Sequence, residues 1–240
     1  MGLFAKKNCD ICGGKIGLLG NRKLEDGNMC KDCAALLSPF MTDRRKTTLA
    51  EIHEHLAYRE ANKAEVAEFN VTRTYGDKTK VMLDEDARKF IVTSTSGRWQ
   101  NENPDVMTYS QVTGCKTDIS ERKTELKTKD KDGKSISYNP PRYEYDYDFN
   151  VVIHVNSKWF SEIKGQINKS SAKNRASVEY RNYETQANEI RDALLQLRQE
   201  NRENITAANT PKMAQTCPSC GASTVPDANG RCEYCGGALN

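Results

Sequence analysis

The chain has 240 residues, of which 37% are hydrophobic and 29% are charged, and its formal net charge is +3. It has no run of about 18 apolar residues, so we expect no membrane-spanning helix. The 36 Lys/Arg and 33 Asp/Glu side chains are interspersed, which argues against a basic nucleic-acid-binding domain.

Eight of the nine cysteines form two groups of four, and every pair within the groups has the spacing C-x2-C. The first group is Cys9, Cys12, Cys30 and Cys33, and the second is Cys217, Cys220, Cys232 and Cys235. A tetrahedral four-thiolate site takes its ligands in such local pairs. The spacing therefore predicts two closed, structural metal sites with these eight cysteines as the metal ligands.

We predict two Zn²⁺ ions as the cofactors, with iron as a minor alternative because "CPSCG" resembles the knuckle of rubredoxins. The first residues lack a hydrophobic secretory core, so we expect a cytoplasmic chain whose thiols stay reduced and do not form disulfides. Neither site needs His53, His55 or His154, and we expect His53 and His55 to be solvated or partly buried. Cys115 has no spaced partner, and we interpret it as a small buried hydrophobe.

In chain order, the segment after Gly13 predicts a hairpin with a turn at Asp26-Gly27, followed by a helix that begins at the second cysteine pair. This order is that of a treble-clef-like zinc module. A helix, or two short ones, is predicted over 48–69, where Thr48 and Glu51 have the spacing of a capping box. The basic run Arg44, Arg45 and Lys46 lies between these elements, and we interpret it as a solvated surface.

Alternating patterns then predict antiparallel strands from about residue 79. The clearest is "RYEYDYDFNVVIHV", in which tyrosine and apolar side chains point one way and acidic ones the other. The tyrosines could stack on bases, but the alternating acids would repel phosphate, so we expect core packing. The segment "NSKWFSEIKGQIN" has a helical spacing of apolar residues and predicts a helix that closes the sheet.

A long helix is predicted over about 174–203. Its seam has heptad-like spacing and predicts packing against the domain or weak self-association through 176–197. The seam consists of Ala176, Tyr180, Tyr183, Ala187, Ile190, Leu194 and Leu197. The fold class predicted from these elements is α+β. The predicted domains are a zinc module (1–46), a helical connector (47–76), an antiparallel β domain (77–169), a long amphipathic helix (170–205), a linker (206–216) and a zinc ribbon (217–240).

The segment "CDICGGKIGLLGNRKLEDGNMCKDCAALLSP", with "RRKTT" and "LAYREANKAEVAEFNVTRTYG" after it, resembles a bacterial family called domain of unknown function 4428. The resemblance covers about the first 75 residues. The central region is similar to the pleckstrin-homology-like segment that accompanies this module in relatives, and the tail is similar to small bacterial zinc ribbons. The resemblance implies a cytoplasmic bacterial protein with zinc-binding ends and implies no activity.

No catalytic motif is found, so we expect a non-enzymatic interaction or scaffold protein that binds a protein partner or, alternatively, a lipid headgroup. Two other functions remain open. One is nucleic-acid binding through a zinc module, with Arg44, Arg45 and Lys46 on the phosphates, which is not favoured. The other is metal handling or redox sensing by the cysteines.

Overall fold

The structure, a computed structural model, describes residues 7–94, 97–209, 214–227 and 230–239. Helices and antiparallel sheets are mixed, with a four-cysteine module near each end, which confirms the predicted α+β class. The chain divides into two compact units, Met1–Arg198 and Gln199–Asn240, and each is described by itself. In the described part of the chain, no helix combines the length and the apolar character needed to cross a membrane.

The first unit begins with two short antiparallel hairpins and a one-turn helix. These elements are β1 (Lys7–Asn8), β2 (Lys15–Ile16), β3 (Arg22–Lys23), β4 (Asn28–Met29) and α1 (Lys31–Ala35). The predicted turn at Asp26-Gly27 connects β3 to β4, and Leu24 N–H donates to the Gly27 carbonyl across it at 2.9 Å. Cys30 is the N-cap of α1, so the second cysteine pair starts a helix as predicted.

A single helix, α2 (Leu49–Glu68), follows a 3-10 turn at Arg44–Lys46. Its start is fixed by the predicted capping box between Thr48 and Glu51. The helix contributes to two hydrophobic cores. Ile52 packs with the buried residues of the N-terminal module, and Val66 packs with Met82, Ile91 and Trp99 of the β domain.

The β domain consists of two antiparallel sheets. The four-stranded sheet has the order β5 (Arg73–Tyr75), β6 (Lys80–Asp84), β7 (Lys89–Thr93) and β8 (Met107–Thr108). The three-stranded sheet has β10 (Ser135–Val155) between β9 (Val112–Lys129) and β11 (Glu162–Gln166). The pairs β6–β7 and β9–β10 are antiparallel hairpins, in agreement with the antiparallel strands predicted from about residue 79.

The predicted helix over "NSKWFSEIKGQIN" is wrong, because residues 162–166 form the strand β11. Ile163 pairs with Ile153 of β10, and Gly165 pairs with Val151. A spacing of four residues between Ile163 and Ile167 fits one face of a strand as well as one face of a helix, and both residues are buried in the same core. The backbone groups of β10 need a hydrogen-bonding neighbour along this edge, and β11 supplies it.

The long helix α3 (Val178–Asn209) closes the core instead. Tyr180, Ala187, Ile190 and Leu194 of the predicted seam are buried in the core that includes Phe149. Tyr180 meets the ring of Phe149 edge to face at a centroid distance of 4.9 Å. The seam is therefore used for intramolecular packing, while self-association through 176–197 stays a prediction.

The second unit contains a small hairpin, β12 (Gln215–Thr216) and β13 (Ser223–Thr224). Its core consists of Cys217, Cys232 and Leu239. A core this small cannot supply much hydrophobic stabilisation, so a fold of this size depends on cross-links or metal. Part of the predicted linker, residues 210–213, lies outside the described residues.

Candidate metal centres

The four sulfur atoms of the first cysteine group lie within 4.8 Å of one another. The distance from Cys9 Sγ to Cys33 Sγ is 3.8 Å, and that from Cys12 Sγ to Cys30 Sγ is also 3.8 Å. With Zn–S bonds of about 2.3 Å, the edge of a regular S4 tetrahedron is about 3.8 Å. A disulfide would need a separation of about 2.05 Å. The sulfur positions therefore fit a tetrahedral ion and do not fit two disulfides.

Local backbone structure sets these positions. Gly13 has φ +73°, a left-handed conformation that glycine adopts without strain, and its N–H donates to the Cys9 carbonyl at 2.8 Å. Cys9 Sγ accepts a hydrogen bond from Cys30 N–H at 3.2 Å, and Cys30 Sγ accepts one from Cys33 N–H at 3.4 Å. Backbone N–H donors thus hold Cys9 Sγ and Cys30 Sγ in place and stabilise negative charge on these two sulfurs.

The ionisation of the two buried thiols differs. Burial alone would raise the pKa of Cys9, but hydrogen bonds from the Cys12, Cys30 and Ile11 backbone bring this pKa down to about 6. Burial raises the pKa of Cys33, and the neighbouring sulfurs, including the charge on Cys9, raise it further. One thiolate forms readily, whereas four thiolates this close repel one another unless a cation joins them.

The second group repeats this geometry on a shorter loop. Its sulfurs also lie within 4.8 Å of one another, with 3.6 Å between Cys217 and Cys235 and 3.7 Å between Cys220 and Cys232. Gly221 has φ +73°, and its N–H donates to the Cys217 carbonyl at 2.8 Å. Burial alone would raise the pKa of Cys217, but backbone N–H donors lower it to about 6.

The structure therefore brings the eight predicted cysteines together in two sets that are positioned to hold metal ions, consistent with two zinc ions. Four protein sulfurs complete a tetrahedron, so a zinc ion in either set would have no position left for a water or a substrate. Sites of this kind stabilise a fold and do not activate water. The choice of zinc over iron rests on ligand chemistry.

The remaining candidates lie elsewhere. His53 is exposed, and His154 Nδ1 lies 3.8 Å from a carboxylate oxygen of Glu162. His55 is buried, so the expectation of a solvated or partly buried side chain was wrong for this residue. Cys115 is half-buried against the main core, and burial raises its pKa to about 12, as expected of an apolar thiol.

A buried polar network, which we did not predict from the sequence, joins the N-terminal module to the β domain. Arg59 Nη1 donates to Asp105 Oδ1 at 2.8 Å, and Ser38 Oγ donates to Asp105 Oδ2 at 2.7 Å. Ser38 N–H donates to His55 Nε2 at 3.3 Å. Because removing one partner of a buried ion pair is strongly destabilising, this network fixes how the two parts of the unit meet.

The basic run is only partly available to a ligand. Arg44 is half-buried, its Nε has no hydrogen-bond partner among the described residues, and burial, Arg22 and Arg45 lower its pKa. Lys46 Nζ lies 3.7 Å from a carboxylate oxygen of Asp43. Phosphate contacts by Arg44, Arg45 and Lys46 therefore stay a prediction that this geometry does not favour.

Comparison with known protein families gives a match in the N-terminal module. No curated protein matches the chain, and no solved structure matches it. Residues 7–55, which span the first cysteine group and the beginning of α2, match the family described as Domain of unknown function (DUF4428), which confirms the resemblance predicted for this end of the chain.

Proposed function

We propose that this protein is a non-enzymatic, zinc-binding interaction protein. The observation that carries this proposal is the geometry of the two cysteine groups, in which four sulfurs complete each tetrahedron. In this proposal the first site is a treble-clef-like module and the second is a zinc ribbon. Their role is to hold binding surfaces in place in a cytoplasmic bacterial protein.

The surface best suited to a protein partner lies on the N-terminal module. Leu18 and Leu19, in the loop between β2 and β3, are 80% and 82% exposed. The loop is closed by a hydrogen bond from Gly20 N–H to the Gly17 carbonyl at 2.9 Å, so the two leucines are displayed on an ordered turn. Burying a leucine side chain is worth about 1.5–3 kcal/mol, which gives a partner reason to cover this loop.

The β domain supports a second part of the proposal. In this proposal the two antiparallel sheets and α3 form a pleckstrin-homology-like domain, in which α3 takes the place that the sequence predicted for the segment "NSKWFSEIKGQIN". Domains of this general order can bind peptides or lipid headgroups at their loops. A lipid headgroup is therefore the alternative partner.

The test compares three versions of the full, zinc-loaded chain in affinity capture from the native cell. The first is unchanged, the second carries Leu18→Ser with Leu19→Ser, and the control carries Val71→Ser with Val178→Ser at two other exposed apolar positions. A captured protein is then purified and bound back to each version. We expect the leucine variant to lose the partner and the control to keep it.

Equal rebinding by all three versions would contradict a leucine-mediated interface. If no captured protein binds back to the chain and the chain floats with acidic lipid vesicles, the lipid headgroup is the partner instead.

A further inference from the structure

A two-stranded arm extends beyond the three-stranded sheet. We define the arm as residues 122–146, all of which the structure describes. The strand β11 pairs only with Asn150–His154 of β10, and an isolated bridge joins Tyr147 to Ala172. Beyond that point β9 and β10 pair only with each other. The eight residues 122–129 span about 27 Å in extended conformation, so the arm is long enough to lie along a polymer.

The register of the two strands places lysines and tyrosines on one face of the arm, which we call the Lys–Tyr face. Tyr145 lies directly opposite Lys123, and Tyr143 lies opposite Glu125. Glu125, Lys127 and Lys129 lie on the same face as Lys123 because side chains alternate along a strand. Lys123 Nζ lies 3.9 Å from the centre of the Tyr143 ring and 5.7 Å from that of Tyr145.

The acidic residues that alternate with these tyrosines point to the opposite face and are neutralised there. Glu144 forms an ion pair with Lys173 at 2.9 Å, and Asp146 forms ion pairs with both Lys173 and Arg122. From the sequence alone, these acids were expected to repel phosphate. On the Lys–Tyr face itself, the register places Lys123, Lys127 and Lys129 with one acid, Glu125, so the net charge of this face is positive and attracts phosphate.

The tyrosines also differ in burial along the arm. Tyr147 is 5% exposed and packs in the core, as expected, whereas Tyr143 is 42% exposed. Core packing therefore accounts for Tyr147 and does not account for Tyr143. Lys123 lies over one side of the Tyr143 ring, and an exposed aromatic ring is a surface on which an unpaired base can stack.

The outer part of the arm is positively charged. Between residues 123 and 142 there are six Lys/Arg against three Asp/Glu. One of the three acids, Asp130, uses its Oδ1 to accept hydrogen bonds from Asp132 N–H and Lys134 N–H, which form the turn at the tip. Five of the six cations are lysines, and within the described part of the chain none of them lies within ion-pair distance of a carboxylate. They are Lys123, Lys127, Lys129, Lys131 and Lys134.

We propose that the Lys–Tyr face of the arm binds single-stranded nucleic acid, with the lysines against the phosphates and Tyr143 stacked on a base. Lysine–phosphate contacts supply affinity without sequence preference, and base–aromatic stacking requires bases that are not already stacked in a duplex. The Leu18–Leu19 loop and the cysteine groups take no part in this contact, so this inference does not rest on the proposed function.

The test measures binding of the full, zinc-loaded chain to a fluorescent oligothymidylate of about 20 nucleotides, long enough to cover such a surface. A triple variant, Lys123→Gln with Lys127→Gln and Lys129→Gln, removes the charge of the Lys–Tyr face. The matched control changes three exposed lysines outside the arm in the same way. These are Lys116, Lys164 and Lys169.

We expect the plot of log affinity against log salt to become shallower by about 2 in the triple variant, because each lost phosphate contact on a single strand contributes about 0.7. The control should keep the slope of the unchanged chain. Tyr143→Ala should weaken binding by about 5-fold to 100-fold, and Tyr143→Phe, which keeps the ring, by no more than about 2-fold.

Four results would overturn the proposal. The first is equal binding by the triple variant and its control. The second is no binding by the unchanged chain at about 50 mM salt, where phosphate contacts are strongest. The third is tighter binding to the duplex than to the single strand, and the fourth is binding to phosphatidylserine vesicles with none to the oligonucleotide.

Discussion

The imidazole ring of His55 is enclosed by groups that keep it neutral. It stacks on the ring of Trp159 at a centroid distance of 4.7 Å, and its Nε2 accepts the hydrogen bond from Ser38 N–H. The pKa of His55 is lowered to about 4, chiefly by burial; the Asp105 charge opposes this lowering and the Arg59 charge adds to it. The unfolded chain, in contrast, binds a proton at this residue near pH 6.5.

This difference predicts a pH-dependent stability. Between pH 6.5 and about 4 the unfolded state holds a proton at His55 that the folded state does not, so stability falls as the pH falls, by up to about 1.4 kcal/mol per pH unit. Above pH 6.5 the contribution is complete. His55→Gln keeps an acceptor without the titration and should flatten this part of the profile, as measured by urea unfolding at a series of pH values.

His53→Gln is the matched control, since His53 lies on the same helix and is exposed. In both variants the cysteine groups still contribute to the pH dependence of the free energy of unfolding. The difference between the two pH profiles is therefore the contribution of His55. Identical profiles for the two variants would show that His55 is not held neutral.

Sequence spacing was enough to assign the cysteines to their groups, but it did not reveal the network around His55. Asp105 is 46 residues from Arg59 in the chain, and only the fold brings them together. One signal was present. The buried face of α2 continues through polar residues at steps of three and four, and it consists of Ile52, His55, Arg59, Asn62 and Val66. Polar residues at core spacing indicate a buried hydrogen-bonded network, because buried polar groups need partners.

Among the elements, α2 was the most predictable and β11 the least. The start of α2 is encoded locally, by Thr48 and Glu51, and needs no knowledge of the rest of the fold. The segment 162–166 has no local signal of comparable strength, and its strand conformation depends on the open edge of β10. A close approach also contributes, since a Cβ added at Gly165 would lie 2.5 Å from the Thr79 side chain. Such contacts between distant segments are not visible in sequence periodicity.

The capping box gives a prediction for α2. Thr48 Oγ1 accepts a hydrogen bond from Glu51 N–H at 3.3 Å, and Glu51 Oε2 accepts one from Thr48 N–H at 2.8 Å. Thr48→Ala should lower the free energy of unfolding by about 1 kcal/mol, within a range of about 0.5–2 kcal/mol. Thr48→Ser keeps the hydroxyl and should lower the free energy of unfolding by only a few tenths of the loss in Thr48→Ala. Urea unfolding of the zinc-loaded chain measures both, and equal losses in the two variants would mean that the cap does not stabilise α2.

For the whole molecule, the two cysteine groups belong to different compact units, and the cores of these units share no residue among those described. Metal loss at one group should therefore leave the other unit intact. Zinc contributes about 10–16 kcal/mol to the folding of isolated zinc-finger peptides, which is more than a module of this size can replace.

Cys12→Ser should remove one of two zinc equivalents and abolish amide protection over 9–33, while the buried strands β6 and β7 stay protected. Cys220→Ser should remove the other equivalent and leave protection in the first unit unchanged. Elemental analysis and hydrogen exchange measure these outcomes. Cys115→Ser, which changes the cysteine outside both groups, is the control and should retain two equivalents. Protection of 9–33 that survives in Cys12→Ser would refute a metal-dependent module.

The helix α2 sets the angle between distant surfaces of the first unit. Ile52 and Val66 lie 14 residues apart on this helix, which is close to four whole turns. The two residues therefore lie on nearly the same side of α2, although they contact two different cores. One residue inserted between them would rotate one end relative to the other by about 100°. The direction in which the Leu18–Leu19 loop faces, relative to the arm, is therefore determined by the residue count of a single helix, and this length has far less freedom to vary than the surface loops.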